Sequence, residues 1–365
     1  MVIGVDAGAI CETDNRLKVG VYRVTHELLN HLATLDTTNS YRLYSFASIP
    51  RDIMVRFGNH MVNVALTPSV GYMRVRLPLH LRLHPNDLFL GLSQAIPVGV
   101  KHAIGFVYDL GFLVAPKEYG DSAERLKKQT EDTIYRSSHI ITISETVKRD
   151  IINTYHIDTS RISVCLPGIA DIFLSQGEES HQPRPYFLSV GLLKPSKHLP
   201  TAIRAFAKFL EQVKKPYDFI IIGGDAGLDP AIKQTIHELH LEKRVRLLGY
   251  VSDTDVGKWY RGAEALIALS THEGFCLPAA EAMACGTPII YANQGALPEI
   301  VGNAGVAVAT ANSNTIVDAF VRISQEKVRK EKQKAAYVQS KKYRWETFAA
   351  SVFQVITGAL AKNIE

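Results

Sequence analysis

Short apolar runs alternate with longer amphipathic stretches along the whole chain. Brief runs rich in β-branched residues and bounded by polar ones read as buried strands. A 3.6-residue apolar period between them reads as helices. In the first half the expected strands are Val2–Asp6, Tyr41–Phe46, Ala103–Tyr108, Ile140–Ile143 and Ile162–Leu166. A helix from Val21 to Leu32 puts Tyr22, His26, Leu29 and Leu32 on one face, and another ends at Thr133–Ser138. Ser144 is the expected N-cap of the next helix, with Val147 as an early apolar position. In the second half the strands are Phe187–Val190, Phe219–Ile222, Val245–Leu248, Ala265–Leu269 and Thr287–Tyr291. The helices between them include Leu199–Leu210, Ala231–Leu239 and Asp255–Arg261, and a helix from Trp345 to Leu360 closes the chain.

Such alternation predicts an α/β protein with doubly wound parallel sheets. The polar, proline-bearing stretch Ser175–Pro185 reads as a linker. At 365 residues the chain exceeds what one core supports. The expected division is therefore two Rossmann-like domains, 1–175 and 176–344, with a terminal helix at 345–365.

Composition narrows the class. With 46% hydrophobic and 21% charged residues the chain reads as soluble and globular. No apolar run approaches the ~18 residues of a membrane span. MVIGVDAGAI starts directly as a strand without a basic leader, so the expected location is cytoplasmic. Cys11, Cys165, Cys276 and Cys285 lack C-x-x-C spacing and read as thiols rather than metal ligands. A net charge of +5 is too mild for nucleic acid. It is concentrated, however, in residues 42–101, where seven Lys and Arg face only Asp52 and Asp87. Within that segment Met73–Leu83 interleaves Arg74, Arg76 and Arg82 with apolar residues. The pattern suits peripheral contact with an anionic membrane. The plainer reading, and the one to prefer for so weak a pattern, is a surface helix or loop whose leucines pack inward.

The candidate chemistry centres on Ser270–Pro298, STHEGFCLPAAEAMACGTPIIYANQGALP, in which Glu273 and Glu281 have seven residues between them. A strand precedes it, Pro278 pre-sets a helix start, and Gly286 ends that helix. The amides from Phe275 to Ala279 would then converge as an anion or sugar-hydroxyl site, with Glu281 one turn in, able to bond vicinal hydroxyls. On a plainer reading Glu281 complements the helix dipole and Glu273 caps the turn. Such a helix end contributes only about 0.3–2 kcal/mol per charge, so a diphosphate there would also want a cation. Lys197, just beyond a strand, is the candidate, though a lysine so placed can equally be a solvated surface residue. Asp109 follows a buried strand and fits either a site carboxylate or a turn cap. Gly20 stands before a helix, where glycine permits either a close approach or a simple turn. Asp253-Thr254-Asp255 resembles a metal-binding D-x-D, but Ser252 with Asp255 three residues on fits a helix capping box.

Residues Arg244–Val308 resemble the donor-binding half of the family-4 retaining glycosyltransferases (glycosyl transferases group 1). The resemblance rests on Val245–Val251, Trp259-Tyr260-Arg261-Gly262-Ala263, Ser270, Glu273-Gly274-Phe275, Leu277-Pro278, Glu281–Gly286, Pro288 and Leu297–Gly302. It extends more loosely to Gly20-Val21-Tyr22, Asp109-Leu110, Ile143-Ser144-Glu145, Pro167-Gly168-Ile169, Lys197 and Trp345-Glu346. It implies the GT-B fold, with the last helix returning to an acceptor-binding first domain. It also implies Glu281 on the donor ribose, Glu273 beside the sugar, and the amides of Phe275, Cys276 and Leu277, with Gly274, around sugar and diphosphate. Lys197 would neutralise the diphosphate, Gly20 would leave it room, and Val251 would flank the base. Catalysis would fall to Glu273, Asp109 and Lys197, without cofactor or metal. Three departures stand out: Tyr108 where the family often has His, Leu192 and Ser196 where an Arg commonly assists the lysine, and Cys276 in place of a glycine.

The expected function is retaining transfer of a mannose- or glucose-type hexose from a GDP- or UDP-linked donor. The acceptor is a carbohydrate or lipid-linked molecule in polysaccharide or glycolipid synthesis, and the setting is the cytoplasm or the inner membrane face. The alternatives are a nucleotide-sugar epimerase of the same fold and a catalytically silent nucleotide- or carbohydrate-binding protein.

Overall fold

The computed structural model describes residues 1–14, 18, 20–174, 176–224, 229–310 and 312–362. It divides into two compact units, Met1–Gly168 with Arg344–Glu365, and Ile169–Tyr343.

The first unit holds β1 (Val2–Asp6), β2 (Ser40–Ser45), β3 (Met61–Ala65), β4 (Leu88–Gly91), β5 (Ala103–Val107), β6 (His139–Thr142) and β7 (Ile162–Val164). All pair in parallel, in the order β3-β2-β1-β4-β5-β6-β7. The second unit holds β8 (Tyr186–Val190), β9 (Asp218–Ile222), β10 (Val245–Gly249), β11 (Ala265–Ala268), β12 (Ile289–Ala292) and β13 (Gly305–Val308). These are also parallel, in the order β10-β9-β8-β11-β12-β13. In each sheet the winding reverses once, between β1 and β4 and between β8 and β11. Loops leaving the carboxyl ends of such a strand pair form the crevice where open α/β sheets bind ligands.

Strands buried on both faces read as continuous apolar runs, and β9 and β5 are buried at every position. In the second unit Phe187, Phe206, Phe209 and Phe320 interlock beneath the sheet, with Phe187 and Phe320 edge to face at 4.5 Å. Gly223 is fixed by close approach, because a Cβ there would lie 2.0 Å from the Gly191 carbonyl oxygen.

The helix Trp345–Lys362 packs on the helix Gly20–Leu35 and so returns to the first unit. At Gly168 a Cβ would sit 2.1 Å from the Trp345 backbone nitrogen. The change of unit falls after Gly168, ahead of the polar stretch that marks it in the sequence. The helix Asp171–Leu174, placed in the first domain by the 1–175 boundary, packs in the second unit, where Phe173 is buried edge to face on Tyr260.

Three strands lie outside the sequence expectation. β4 is a central four-residue run, β3 lies at an edge, and β13 opens on a glycine. The interleaved Arg-Leu segment forms a single π turn, Tyr72–Arg76, running into the helix Leu77–Leu83. Leu77 and Leu81 pack inward, as the plainer reading of its leucines expects. Val75, Leu79 and Leu83 do not, and are 56–71% exposed. No helix among the described residues is long and apolar enough to cross a membrane.

Candidate functional site

The two strands at the switch point of the second sheet supply the two loops that matter. After β8, Gly191 takes a left-handed φ of 136° and the chain runs through the short turn Pro195–Lys197. After β11, Ser270 to Cys276 lead into the helix Leu277–Ala284. Backbone and side chains tie the loops together: Thr271 N–H donates to Ser196 O at 3.0 Å, and His198 Nε2 lies 2.6 Å from Thr271 Oγ1.

Lys197 Nζ donates to Glu273 Oε1, and Ser270 Oγ donates to the same oxygen at 2.7 Å. Burial pushes the Glu273 carboxyl up. The Lys197 charge and hydrogen bond, helped by Ser270, outweigh it and hold the group below its ordinary value. The backbone of Glu273 is held from the other side. Ala296 N–H donates to Glu273 O at 3.0 Å, and a Cβ at Gly295 would lie 3.0 Å from both Glu273 N and O.

The helix start departs from the sequence expectation in one respect. Pro278 has no N–H, and Ala279 N–H donates to Cys276 O at 3.0 Å, so neither belongs to a converging set of amides. That set ends at Leu277. Cys276 is the N-cap with φ 77° and ψ 73°, a left-handed conformation that glycine adopts at no steric cost. Its thiol is buried, and burial together with the nearby Glu273 charge pushes its pKa up to about 12. Gly274 and Phe275 are buried, and the Phe275 ring turns away onto Tyr343, edge to face at 5.2 Å. The turn's backbone is thereby anchored by a side chain pointing into the core.

Glu281, one turn along, is 5% exposed. Tyr260 Oη donates to its Oε2 at 3.1 Å, and Thr287 Oγ1 donates to the Tyr260 carbonyl, so the helix Asp253–Gly262 orients the carboxylate. Tyr260 and Ser270 both lie in the stretches that carry the sequence resemblance, but neither was given a role there. The signal for Tyr260 is a phenol on a buried helix face, which needs a partner. Val251 follows β10 just after Gly249, whose φ is 70°. Lys194 is exposed in the same loop as Lys197.

Asp255 is a capping residue: its N–H donates to Ser252 Oγ at 3.3 Å, Ser252 Oγ donates back to Oδ2 at 2.8 Å, and Lys258 pairs with it at 3.5 Å.

In the first unit Asp109 follows β5, and its Oδ1 accepts from Gly111 N–H at 2.8 Å, capping the next turn. Gly20 opens the helix Gly20–Leu35, and among the described residues nothing lies within 4 Å of an added Cβ, so none of them requires glycine there. At this sheet's switch point Asp6, at the end of β1, accepts a hydrogen bond from Ser93 just after β4. Burial raises the Asp6 pKa above its ordinary value.

Residues 172–343 match the model of glycosyl transferases group 1. The chain is 24% identical over 278 residues to the O-antigen chain mannosyltransferase B of Escherichia coli, covering 73% of each. It is 31% identical over 193 residues to the O-antigen chain mannosyltransferase RfbU of Salmonella typhimurium, an alignment spanning 53% of each chain. Among solved structures, a sucrose-phosphate synthase from Thermosynechococcus elongatus superposes with a TM-score of 0.78 at 17% identity, over 99% of both chains. WaaG, a glycosyltransferase involved in lipopolysaccharide biosynthesis, superposes with a TM-score of 0.76 at 14% identity, over 98% of this chain and 100% of that one. Residues 172–343, nearly all of the second unit, thus match the group 1 glycosyltransferases, and the chain as a whole has the GT-B fold of the structures it superposes on.

Proposed function

We propose that the chain is a retaining hexosyltransferase that takes mannose, or a glucose-type sugar, from a nucleoside diphosphate donor. It delivers the sugar to a carbohydrate or lipid-linked acceptor in surface polysaccharide synthesis. The observation that carries the reading is the Lys197–Glu273 pair on the two switch-point loops, with Glu281 held by Tyr260 one helical turn away. The names of the Escherichia coli and Salmonella typhimurium relatives support mannose.

On this reading the pair is a resting arrangement that donor binding opens. Lys197 turns to the diphosphate and meets its charge as a point cation. Glu273 is left beside the sugar, where a carboxylate stabilises the oxocarbenium-like transition state. The amides from Gly274 to Leu277 complete the cradle, and Glu281 accepts from the ribose hydroxyls. The acceptor oxygen attacks C1 on the face the diphosphate leaves. The C1–O phosphate bond breaks as the new glycosidic bond forms, and the acceptor proton passes to the departing phosphate oxygen. Lys197 and the helix start supply the charge that a divalent metal supplies in D-x-D enzymes, and the capping role of Asp255 leaves that motif unavailable here.

The first unit is also proposed to meet an anionic membrane from the cytoplasmic side. Exposed Val75, Leu79 and Leu83 follow one another at i, i+4 and i+8, flanked by exposed Arg74 and Arg82, a combination that favours an interface with anionic headgroups.

The test is calorimetric titration with GDP- and UDP-linked mannose and glucose, followed by anomeric analysis of the transferred sugar. One tight donor, lost on Glu281→Ala, is the expected result. Undiminished donor binding and turnover in Glu281→Ala would sink the assignment, and an inverted product would remove the retaining mechanism.

A further inference from the structure

The sheet of the first unit ends at β7, an edge strand paired only with β6. Between that edge and the final helix lies a cavity of about 620 Å³. Its wall includes His139, Lys148, Ser163, Gln354, Gly358 and Lys362, and among the described residues none that lines it carries a carboxylate. The volume falls within the ~300–1,000 Å³ range of small-molecule clefts.

The polar wall is organised. Lys148 Nζ donates to the Ile162 carbonyl at 2.9 Å, which fixes the ammonium at the cavity wall. An ammonium has three donors, and this bond uses one. His139 Nε2 lies 2.9 Å from Ser163 Oγ across the β6–β7 pair. A lysine over an edge strand is also a common guard against strand pairing. A guard alone needs neither a cavity of this size nor a second lysine and a histidine facing into it. Burial, and then the charges of Lys362, Arg161 and Lys148, hold the His139 pKa below its ordinary value. Unbalanced positive charge in a concave, partly dry site concentrates anions.

We propose that this cavity binds a phosphate monoester of sugar-phosphate size, with Lys148 and Lys362 on the phosphate and His139 and Ser163 completing its hydrogen bonds. Phosphate is preferred over carboxylate because the donors come from four elements, the strands β6 and β7 and the helices Glu145–Tyr155 and Trp345–Lys362. A tetrahedral oxyanion with several acceptor oxygens can satisfy them together. The site is separate from the switch-point loops of the second unit and independent of the donor reading.

Gly358 makes the proposal testable without damage to the fold. It lies within the final helix on the cavity wall, and among the described residues an added Cβ meets nothing within 4 Å. Inorganic phosphate and glucose 6-phosphate would be titrated calorimetrically at low ionic strength into the unaltered protein, Gly358→Glu, the double variant Lys148→Met/Lys362→Met, and Lys197→Ala. The His139 ring proton would be followed by NMR. The unaltered protein and Lys197→Ala should bind one equivalent, with the His139 pKa rising on binding. Gly358→Glu, folded by circular dichroism, should bind at least tenfold more weakly, as should the double variant. Absence of binding in the unaltered protein, equal affinity in folded Gly358→Glu, or loss of all binding in Lys197→Ala would each overturn it.

Discussion

Lys197 Nζ and Glu273 Oε1 are hydrogen-bonded across the two loops at the switch point of the second sheet, and Ser270 donates to the same oxygen. The pair links a cation suited to a diphosphate with a carboxylate suited to a sugar. In the proposed reaction it is the contact that donor binding opens.

That relationship fixes a pH dependence. Burial alone would raise the Glu273 carboxyl, and Lys197 reverses the shift. Its folded value lies below the unfolded one. The pair's contribution to stability is therefore fully present above the ordinary carboxylate range and is lost as pH falls through the folded value. Lys197→Ala removes the counter-charge and leaves desolvation unopposed, so the acid limb of the pH–rate profile should move to higher pH. Turnover should fall about 10²–10³-fold, the usual cost of removing one charge-stabilising group. An unmoved acid limb in Lys197→Ala would separate Glu273 from the titrating step. Glu273→Gln should abolish the limb altogether.

Tyr260 and Glu281 form the second such relationship, at 3.1 Å in a buried setting. Tyr260→Phe keeps the ring against Phe173 and removes only the hydroxyl. A hydrogen bond to a charged group is worth about 1.5–3 kcal/mol, so donor affinity should weaken by roughly one to two orders of magnitude. Because the phenol acts through Glu281, the double variant Tyr260→Phe/Glu281→Ala should be no weaker than Glu281→Ala alone. Additive losses in calorimetric Kd would disprove that coupling.

The switch-point site was legible because its local signals agree. A buried strand, Glu273-Gly274-Phe275, Pro278 and Gly286 all specify one turn and one helix, so the residues of that turn could be named from the chain. What it meets was not legible. Lys197 and Glu273 are 76 positions apart, and Tyr260 and Glu281 are 21 apart. Those pairings follow from strand order, which periodicity does not encode. The strand β4 escaped the sequence for a related reason. β4 is only Leu-Phe-Leu-Gly, central and fully buried, and too brief to show a period. The Ala279 amide was misjudged because the Cys276 carbonyl already takes it up in the first turn of the helix.

Cys276 holds that left-handed conformation at a cost of about 1–2 kcal/mol that a glycine does not incur. Cys276→Gly should therefore stabilise the second unit, raising its Tm by roughly 2–4 °C per kcal/mol recovered. Cys276→Ala keeps the strain and should not. A melting comparison of the two variants separates backbone strain from the loss of the buried side chain. The thiol itself, pushed up to about 12, should resist alkylation at neutral pH in the folded protein. Prompt labelling of Cys276 on peptide mapping would contradict its burial.

The stripe Val75, Leu79 and Leu83 offers a surface experiment that leaves the core untouched, since Leu77 and Leu81 carry the inward packing. Arg76 is a poor target because its guanidinium donates to the Val70 and Thr67 carbonyls and so holds the preceding loop. Arg74 and Arg82 are exposed and flank the stripe. Near an anionic surface each basic residue contributes about 1 kcal/mol, so Arg74→Gln/Arg82→Gln should lower partition onto phosphatidylglycerol vesicles roughly thirtyfold. Leu79→Ser/Leu83→Ser should weaken binding to the same vesicles through lost apolar burial, with little change in salt dependence. Raising salt should reduce binding of the unaltered protein far more than that of the arginine variant, because the Debye length shrinks to about 3 Å at 1 M. Equal partition onto phosphatidylcholine and phosphatidylglycerol vesicles, or an arginine variant that binds like the parent in flotation assays, would remove the membrane from the account of this unit.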